Sequence, residues 1–314
     1  MTTIVTDPKA PSVDDAELLA AYEAADKDAM ENWHDPVWRA AMAKEVTDQV
    51  WYGFQHENLL PNFSTVENAA VGDRITVETV YGVEVFWVSL GGQIDMSTMT
   101  QDVYQLTPDW VGFHVQELDQ RVQMGFSRVM NQMVQNAIQQ MDASISSRLF
   151  RAFQAAIPSS SDYYVASNGL QLADLNTAIT EVGEEIVTPG ANIAIVGRPS
   201  MVNQIMDQLE DSGNFYPETN EQIVRTGMLG RYRGIPVVRL QNFRDRNKRS
   251  YFPRNELMVV STDASKVGFW GTLVAKEGTE QFGWQWHYIG RREVGMAVHR
   301  PEAARRFVDT SLAA

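Results

Sequence analysis

Three glycines, Gly227, Gly230 and Gly234, stand close together ahead of a basic window formed by Arg244, Arg246, Lys248 and Arg249. Grouped glycines can let backbone N–H groups cradle a phosphate, and clustered cations can grip one. The spacing argues against a nucleotide loop. Such a loop runs into a helix N-terminus, whereas G-x-x-G-x-x-x-G here runs into Ile235-Pro236-Val237-Val238, and proline among β-branched residues predicts a strand. The glycines therefore read as turn chemistry. The basic window, with Arg254, Tyr251 and Phe252 nearby, has three readings: a solvated loop, a clamp on an acidic segment of a neighbouring copy, or a phosphate grip. A nucleic-acid binder is normally basic overall, and this chain carries a net charge of −14, which favours the first two.

Other reactive groups are poorly placed for chemistry. The histidines His34, His56, His114, His287 and His299 contain no H-E-x-x-H and no pair at helical spacing. His287 and His299 could meet across a hairpin, yet two imidazoles without a third ligand seldom hold a metal. Glu184 and Glu185 are adjacent on a helix and point apart, no G-x-S-x-G occurs, and the absence of cysteine removes thiolate chemistry and disulfides together. Trp284, Trp286 and Tyr288 alternate on one strand face, a pattern of core or interface. Neither catalysis, nor a cofactor, nor a metal is expected.

The 314 residues suffice for about two domains with a sizeable core. Charge is uneven: residues 1–50 hold 11 acids and 4 bases, residues 51–200 hold 16 and 6, and residues 201–314 hold 13 and 16. An acidic front and a mildly basic back suit pairing between copies or lobes. The start, MTTIVTDPKAPSVDD, lacks the features of a signal peptide, and no apolar run is long enough to span a membrane, so a soluble cytoplasmic product is expected.

Several elements must position these residues. Residues 1–60 predict a polar lead and two amphipathic helices, the first with Asp14 as cap and the second carrying Val37, Trp38, Met42, Val46 and Val50. From Thr65 to Leu106 the period is two, with reversals at Tyr81-Gly82 and Gly91-Gly92. Val83, Val85, Phe86 and Trp87 need cover, which a neighbouring subunit would supply. Apolar residues recur every three or four positions from Val115 to Ile157, predicting one helix of roughly 60 Å, with Gly125 as a weak point. Its other face is uncharged: Gln116, Gln120, Gln123, Ser127, Gln132, Gln135, Gln139 and Ser146. After a loop, PSSSDYYVASNGLQ, come helix, strand and helix (LADLNTAITEVGEEIV, NIAIVG, RPSMVNQIMDQLED), then strands GIPVVRL and NELMVVST, and a long hairpin from Lys266 to Val298.

This order, with the strings RYRGIPVVR (Arg231–Arg239), NELMVVSTDASKVGFWG (Asn255–Gly271) and EVGMAVHRPEAARRF (Glu293–Phe307), resembles the major capsid proteins of tailed double-stranded DNA bacteriophages, the Hong Kong 97 type fold. The resemblance implies an α+β chain. Residues 1–60 would be the N-terminal arm, 61–108 the extended β-hairpin loop, and 109–159 the peripheral domain with its spine helix. Residues 160–261 would form the α/β axial domain, 262–298 the peripheral hairpin, and 299–314 the axial C-terminal segment. It implies self-assembly into pentamers and hexamers of an icosahedral shell, assembled in a bacterial cytoplasm around DNA held without sequence-specific binding, with no membrane. Portal and decoration proteins would be further partners.

On this reading the candidate inter-subunit contacts are Phe86, Trp87, Arg231, Arg233, Arg244, Arg246, Lys248 and Arg249. Some relatives weld their shells by a lysine–asparagine bond from the extended loop. Lysine occurs here only at positions 9, 27, 44, 248, 266 and 276, so the shell is expected to be non-covalent. Sixty residues before the loop are too few for a cleavable scaffold, which leaves a separate scaffolding protein or none. Two rivals stand beside this reading: an encapsulin-type compartment holding protein cargo, and a soluble α/β enzyme or binding protein.

Overall fold

A computed structural model describes residues 15–57, 59–81, 100–118, 126–157, 163–166, 169–186, 188, 190–212, 230–240, 250–279 and 285–312. The first two helices are α1 (Asp15–Asn32) and α2 (Pro36–Glu57). Asp35 starts the second: its carboxylate accepts from the Val37 amide at 2.9 Å, and Pro36 occupies the first turn, where no N–H is needed. Both helices lie against the body of the chain, burying Ala29, Trp33, Val46 and Val50 in the main core.

Four strands make the first sheet: β1 (Thr65–Ala69), β4 (Asp109–Leu118), β10 (Ser265–Thr279) and β11 (Gln285–Val298), in the order β1-β10-β11-β4. The predicted long hairpin is therefore its centre. One helix, α3 (Phe126–Ala156), runs along it for 31 residues, about 46 Å. It is shorter than the sequence suggested, because Val115 and Leu118 belong to β4 rather than to a helix. In that stretch Val111, Phe113 and Val115 pack against the core while Trp110, Gly112, His114 and Gln116 face outward, a period of two that the three- and four-residue spacing disguised. Val122 and Gly125 lie outside the described residues. Gln132, Gln135 and Gln139 are exposed as expected, but Ser146 is buried: between Met141 and Phe150 only Arg148 is exposed, because this part of α3 is enclosed nearly all round.

The second sheet has six strands in the order β5-β12-β9-β6-β8-β7: β5 (Tyr163–Ala166), β6 (Ile193–Gly197), β7 (Arg231–Tyr232), β8 (Ile235–Arg239), β9 (Glu256–Ser261) and β12 (Ala304–Asp309). β5 was read as loop; its four residues pair in parallel with Arg306–Asp309, and so short a segment shows no period of its own. Both faces of this sheet are buried, which accounts for the nearly unbroken apolar runs of β6 and β9. Ala194, Val196, Met258 and Val260 join the core that holds α3. Ile195, Leu257 and Val259 face a second core under α4 (Leu172–Glu184) and α5 (Pro199–Ser212). Arg233 and Gly234 form the two-residue turn between β7 and β8, both with positive φ (50° and 82°), the backbone a tight hairpin needs.

Three arginines of the closing segment pin it down. Arg300 pairs with Asp263 and Glu302, Arg305 with Glu181 at 2.8 Å, and Arg306 grips both oxygens of Glu256 at 2.9 Å each. The Arg305 guanidinium holds the Glu181 carboxyl below its usual range.

Candidate assembly surface

The third sheet is a two-stranded ribbon, β2 (Thr76–Tyr81) against β3 (Thr100–Gln105), in register from Thr76↔Gln105 to Tyr81↔Thr100. It makes a sheet of its own. Its root is anchored: Ile75, Val77, Leu106 and Trp270 form a small buried cluster. The Trp270 indole N–H donates to the Asp73 carbonyl at 2.8 Å, and the Lys266 ammonium donates to the Thr76 carbonyl at 2.8 Å while pairing with Glu67 at 2.5 Å.

The seat for this root is a pair of glycines. Gly268 and Gly295 are directly opposite on β10 and β11. A Cβ on Gly268 would stand 2.6 Å from Ile75 Cδ1; one on Gly295 would stand 2.9 Å from the Thr107 carbonyl oxygen and 2.9 Å from the Trp270 ring. At Gly295 a side chain would press on backbone and an indole ring, whereas at Gly268 the Ile75 side chain would have to turn aside. Just beyond, β10 is irregular between Trp270 and Val274, with Gly271 at φ 59°. Arg292 fills the space beside it, donating to the Gly271 carbonyl at 2.8 Å and the Asn68 amide oxygen at 3.3 Å and lying 4.6 Å from the Phe269 ring centroid. Burial pushes its pKa down to about 9, so it stays charged at neutral pH.

Beyond the root, β3 carries two exposed apolar side chains. Val103 and Tyr104 are 53% and 54% exposed, and as consecutive strand residues they point to opposite faces. Among the described residues, Val103 on one face and Tyr104 on the other thus lack cover. The outer face of the four-stranded sheet adds exposed Trp110, Val274 and Ile289, with the Arg291 guanidinium 4.5 Å from the Trp110 ring centroid.

Of the residues singled out in the sequence, Arg231 and Arg233 are exposed on β7 and its turn. Phe86, Trp87, Arg244, Arg246, Lys248 and Arg249 lie outside the described residues, as do both proposed reversals beyond Tyr81, and Gly227. Trp286 and Tyr288 are core, stacked at 5.7 Å with the tyrosine hydroxyl against Thr47 at 2.6 Å; Trp284 is outside the described residues. His287 meets His114 on the adjacent strand, not His299, which sits half-buried where the chain passes between the two sheets. Among the described residues no group of three or more ligating side chains could share a metal, and no helix is long and apolar enough to cross a membrane. Sequence reasoning missed Val103, Tyr104 and the glycine pair. The alternation in TQDVYQ was the available signal for the first two.

A comparison with curated proteins gives no match. Solved structures share the fold at low identity. The capsid of cyanophage P-SCSP1u aligns at a TM-score of 0.55 with 14% identity, covering 81% of this chain and 88% of that one. The mature capsid of bacteriophage PhiM1 aligns at 0.54 with 11% identity, covering 81% and 88%. The virus-like particle from Pyrococcus furiosus aligns at 0.51 with 12% identity, covering 84% and 98%. The architecture is thus the Hong Kong 97 type, with spine helix, ribbon and two sheets in the expected order. A family model described as "SPbeta prophage-derived putative capsid protein YonB" matches residues 42–282, most of the chain, ribbon and spine helix included. The chain belongs to this family of phage capsid proteins.

Proposed function

We propose that this chain is the major capsid protein of a tailed bacteriophage, assembling into pentamers and hexamers of an icosahedral shell around packaged double-stranded DNA. The observation that carries the reading is the ribbon, anchored at its root and exposing Val103 and Tyr104 on opposite faces, which a lone subunit has no reason to keep. An isolated two-stranded ribbon is marginal in water, and a neighbouring copy that covers Val103 and Tyr104 removes that weakness. The four-stranded sheet with α3 would be the peripheral domain, the six-stranded sheet with α4 and α5 the axial domain, and the helices α1 and α2 part of the arm. Phe86 and Trp87 would extend the same contact. Arg231, Arg233 and the basic window at 244–249 would meet acidic segments of other copies. Assembly would take place in the host cytoplasm, with portal and decoration proteins as further partners and a scaffolding protein if one is needed.

Because each subunit is held by several neighbours, weak contacts suffice in a closed shell. A compartment shell of the same fold, filled with protein cargo, is the second reading; a virus-like particle from Pyrococcus furiosus shares the fold. Electron microscopy of the expressed chain, with nucleic acid measured in purified particles from infected or induced cells, tests both. Closed shells with nuclease-protected double-stranded DNA are expected. Shells filled with protein would favour the second reading, and a monodisperse monomer with a protected ribbon would overturn both.

A further inference from the structure

The outer face of the four-stranded sheet carries a feature that shell assembly does not explain. His114 Nε2 and His287 Nδ1 lie 2.9 Å apart, with ring centroids at 5.2 Å and an interplanar angle of 34°. The two residues sit diagonally across the β4–β11 ladder: His114 is opposite Ile289, and His287 is opposite Gln116. Both rings therefore leave the sheet on its exposed side.

We propose that His114 and His287 form a binding site for a divalent transition-metal ion of the zinc class. The distance carries the geometry. Two nitrogens each about 2.05 Å from one metal stand about 2.9 Å apart at a right angle and about 3.3 Å apart at the tetrahedral angle. As they stand, with nitrogens 2.9 Å and centroids 5.2 Å apart, the two rings face each other head-on as hydrogen-bond partners. A tetrahedral ion keeps nearly the same centroid spacing, so turning each ring by about 35° opens the nitrogens to about 3.3 Å around it. The platform is rigid, since β4 and β11 pair without a register shift from Gln285↔Leu118 to Val294↔Asp109. Two neighbouring positions carry no side chain: Gly278 is opposite His287 on β10, and Gly112 lies two residues from His114 on the same face. Gln116, exposed on that face, brings an amide oxygen to the same part of the sheet. Water fills the remaining positions. Two imidazoles without a carboxylate select borderline-soft cations such as zinc, nickel or copper over magnesium or calcium.

The site depends only on the β4–β11 ladder, so it stands or falls separately from the shell reading. The test is calorimetric titration of the EDTA-treated, dialysed full chain with zinc chloride, and in parallel with magnesium chloride. Uptake of one zinc per chain without magnesium uptake is expected. His114→Ala and His287→Ala should each weaken zinc binding by at least about tenfold, while His299→Ala leaves it unchanged. These side chains are on the surface, and far-ultraviolet circular dichroism verifies that each variant folds. A wild-type chain that takes up no zinc, or either His114→Ala or His287→Ala binding zinc as the wild type does, overturns the proposal.

Discussion

Replacing Gly295 by alanine should disconnect assembly from folding. The added Cβ would stand 2.9 Å from the Thr107 carbonyl oxygen and from two atoms of the Trp270 ring. Carbon–oxygen contacts settle near 3.3–3.6 Å, so the backbone at Thr107 must retreat by about 0.5 Å. Thr107 lies two residues beyond the end of β3, at the ribbon's root, and the two ribbon strands are about 4.8 Å apart. A shift of that size on one strand alone tilts the ribbon by roughly 6°, and over the six paired residues, about 20 Å, its far end moves by about 2 Å. Overpacking of this kind costs about 1–3 kcal/mol, which lowers the melting temperature by several degrees without unfolding the chain. A contact displaced by 2 Å is lost at every ribbon in the shell at once. Sedimentation and electron microscopy at matched concentration should find folded Gly295→Ala subunits and few closed shells. Gly183→Ala is the control: its Cβ meets only Ile193 Cδ1 at an ordinary 3.8 Å, so shell yield should be unchanged. Wild-type shell yield from Gly295→Ala, or equal loss from both variants, would refute the argument that the glycine seat aims the ribbon.

Three further outcomes follow from the same geometry. Arg306→Met leaves the buried Glu256 carboxylate with the Gln154 amide but without its cation and should destabilise the chain by about 3 kcal/mol in denaturant titration, while adding Glu256→Met should recover most of the loss. His299 is held below its ordinary pKa by burial first, then by Arg300 and Lys266, against the opposing pull of Asp263 and Glu302. The unfolded chain therefore binds the proton more readily, and stability should fall as pH drops below about 6.5, a slope that His299→Gln reduces in thermal melts. A denaturing gel of mature particles should show one band at the 35.3 kDa subunit mass without a ladder, since residues 61–108 contain no lysine for a cross-link.

The fold was legible wherever one face of an element is wet and the other dry, or where both are dry. Strands β6, β8 and β9 announced themselves by β-branched runs, and α4 and α5 by their spacing. The reading failed where two periods coincide. Val115 and Leu118 satisfy a helical interval and a strand alternation at once, and only the pairing of β4 with β11 decides between them. It failed again at β5, whose four residues become a strand because β12 offers an edge. For the assembly surface, the sequence identified a ribbon that needs cover but not what aims it. Gly268 and Gly295 are 27 positions apart, and nothing local marks them as opposite one another. The His114–His287 encounter was hidden for the same reason, being fixed by register across two distant strands.

The margins of the six-stranded sheet have a consequence of their own. Among the described residues it ends in β5, four residues long, on one side and β7, two residues long, on the other. Margins so brief give a colliding sister molecule almost no backbone to zip onto, which is how strand-rich chains usually clump. Copies that meet rim to rim should part again quickly, and those that meet through the projecting ribbon should remain. Crowding then becomes a sorting step, in which wrong encounters are erased before they can be built upon.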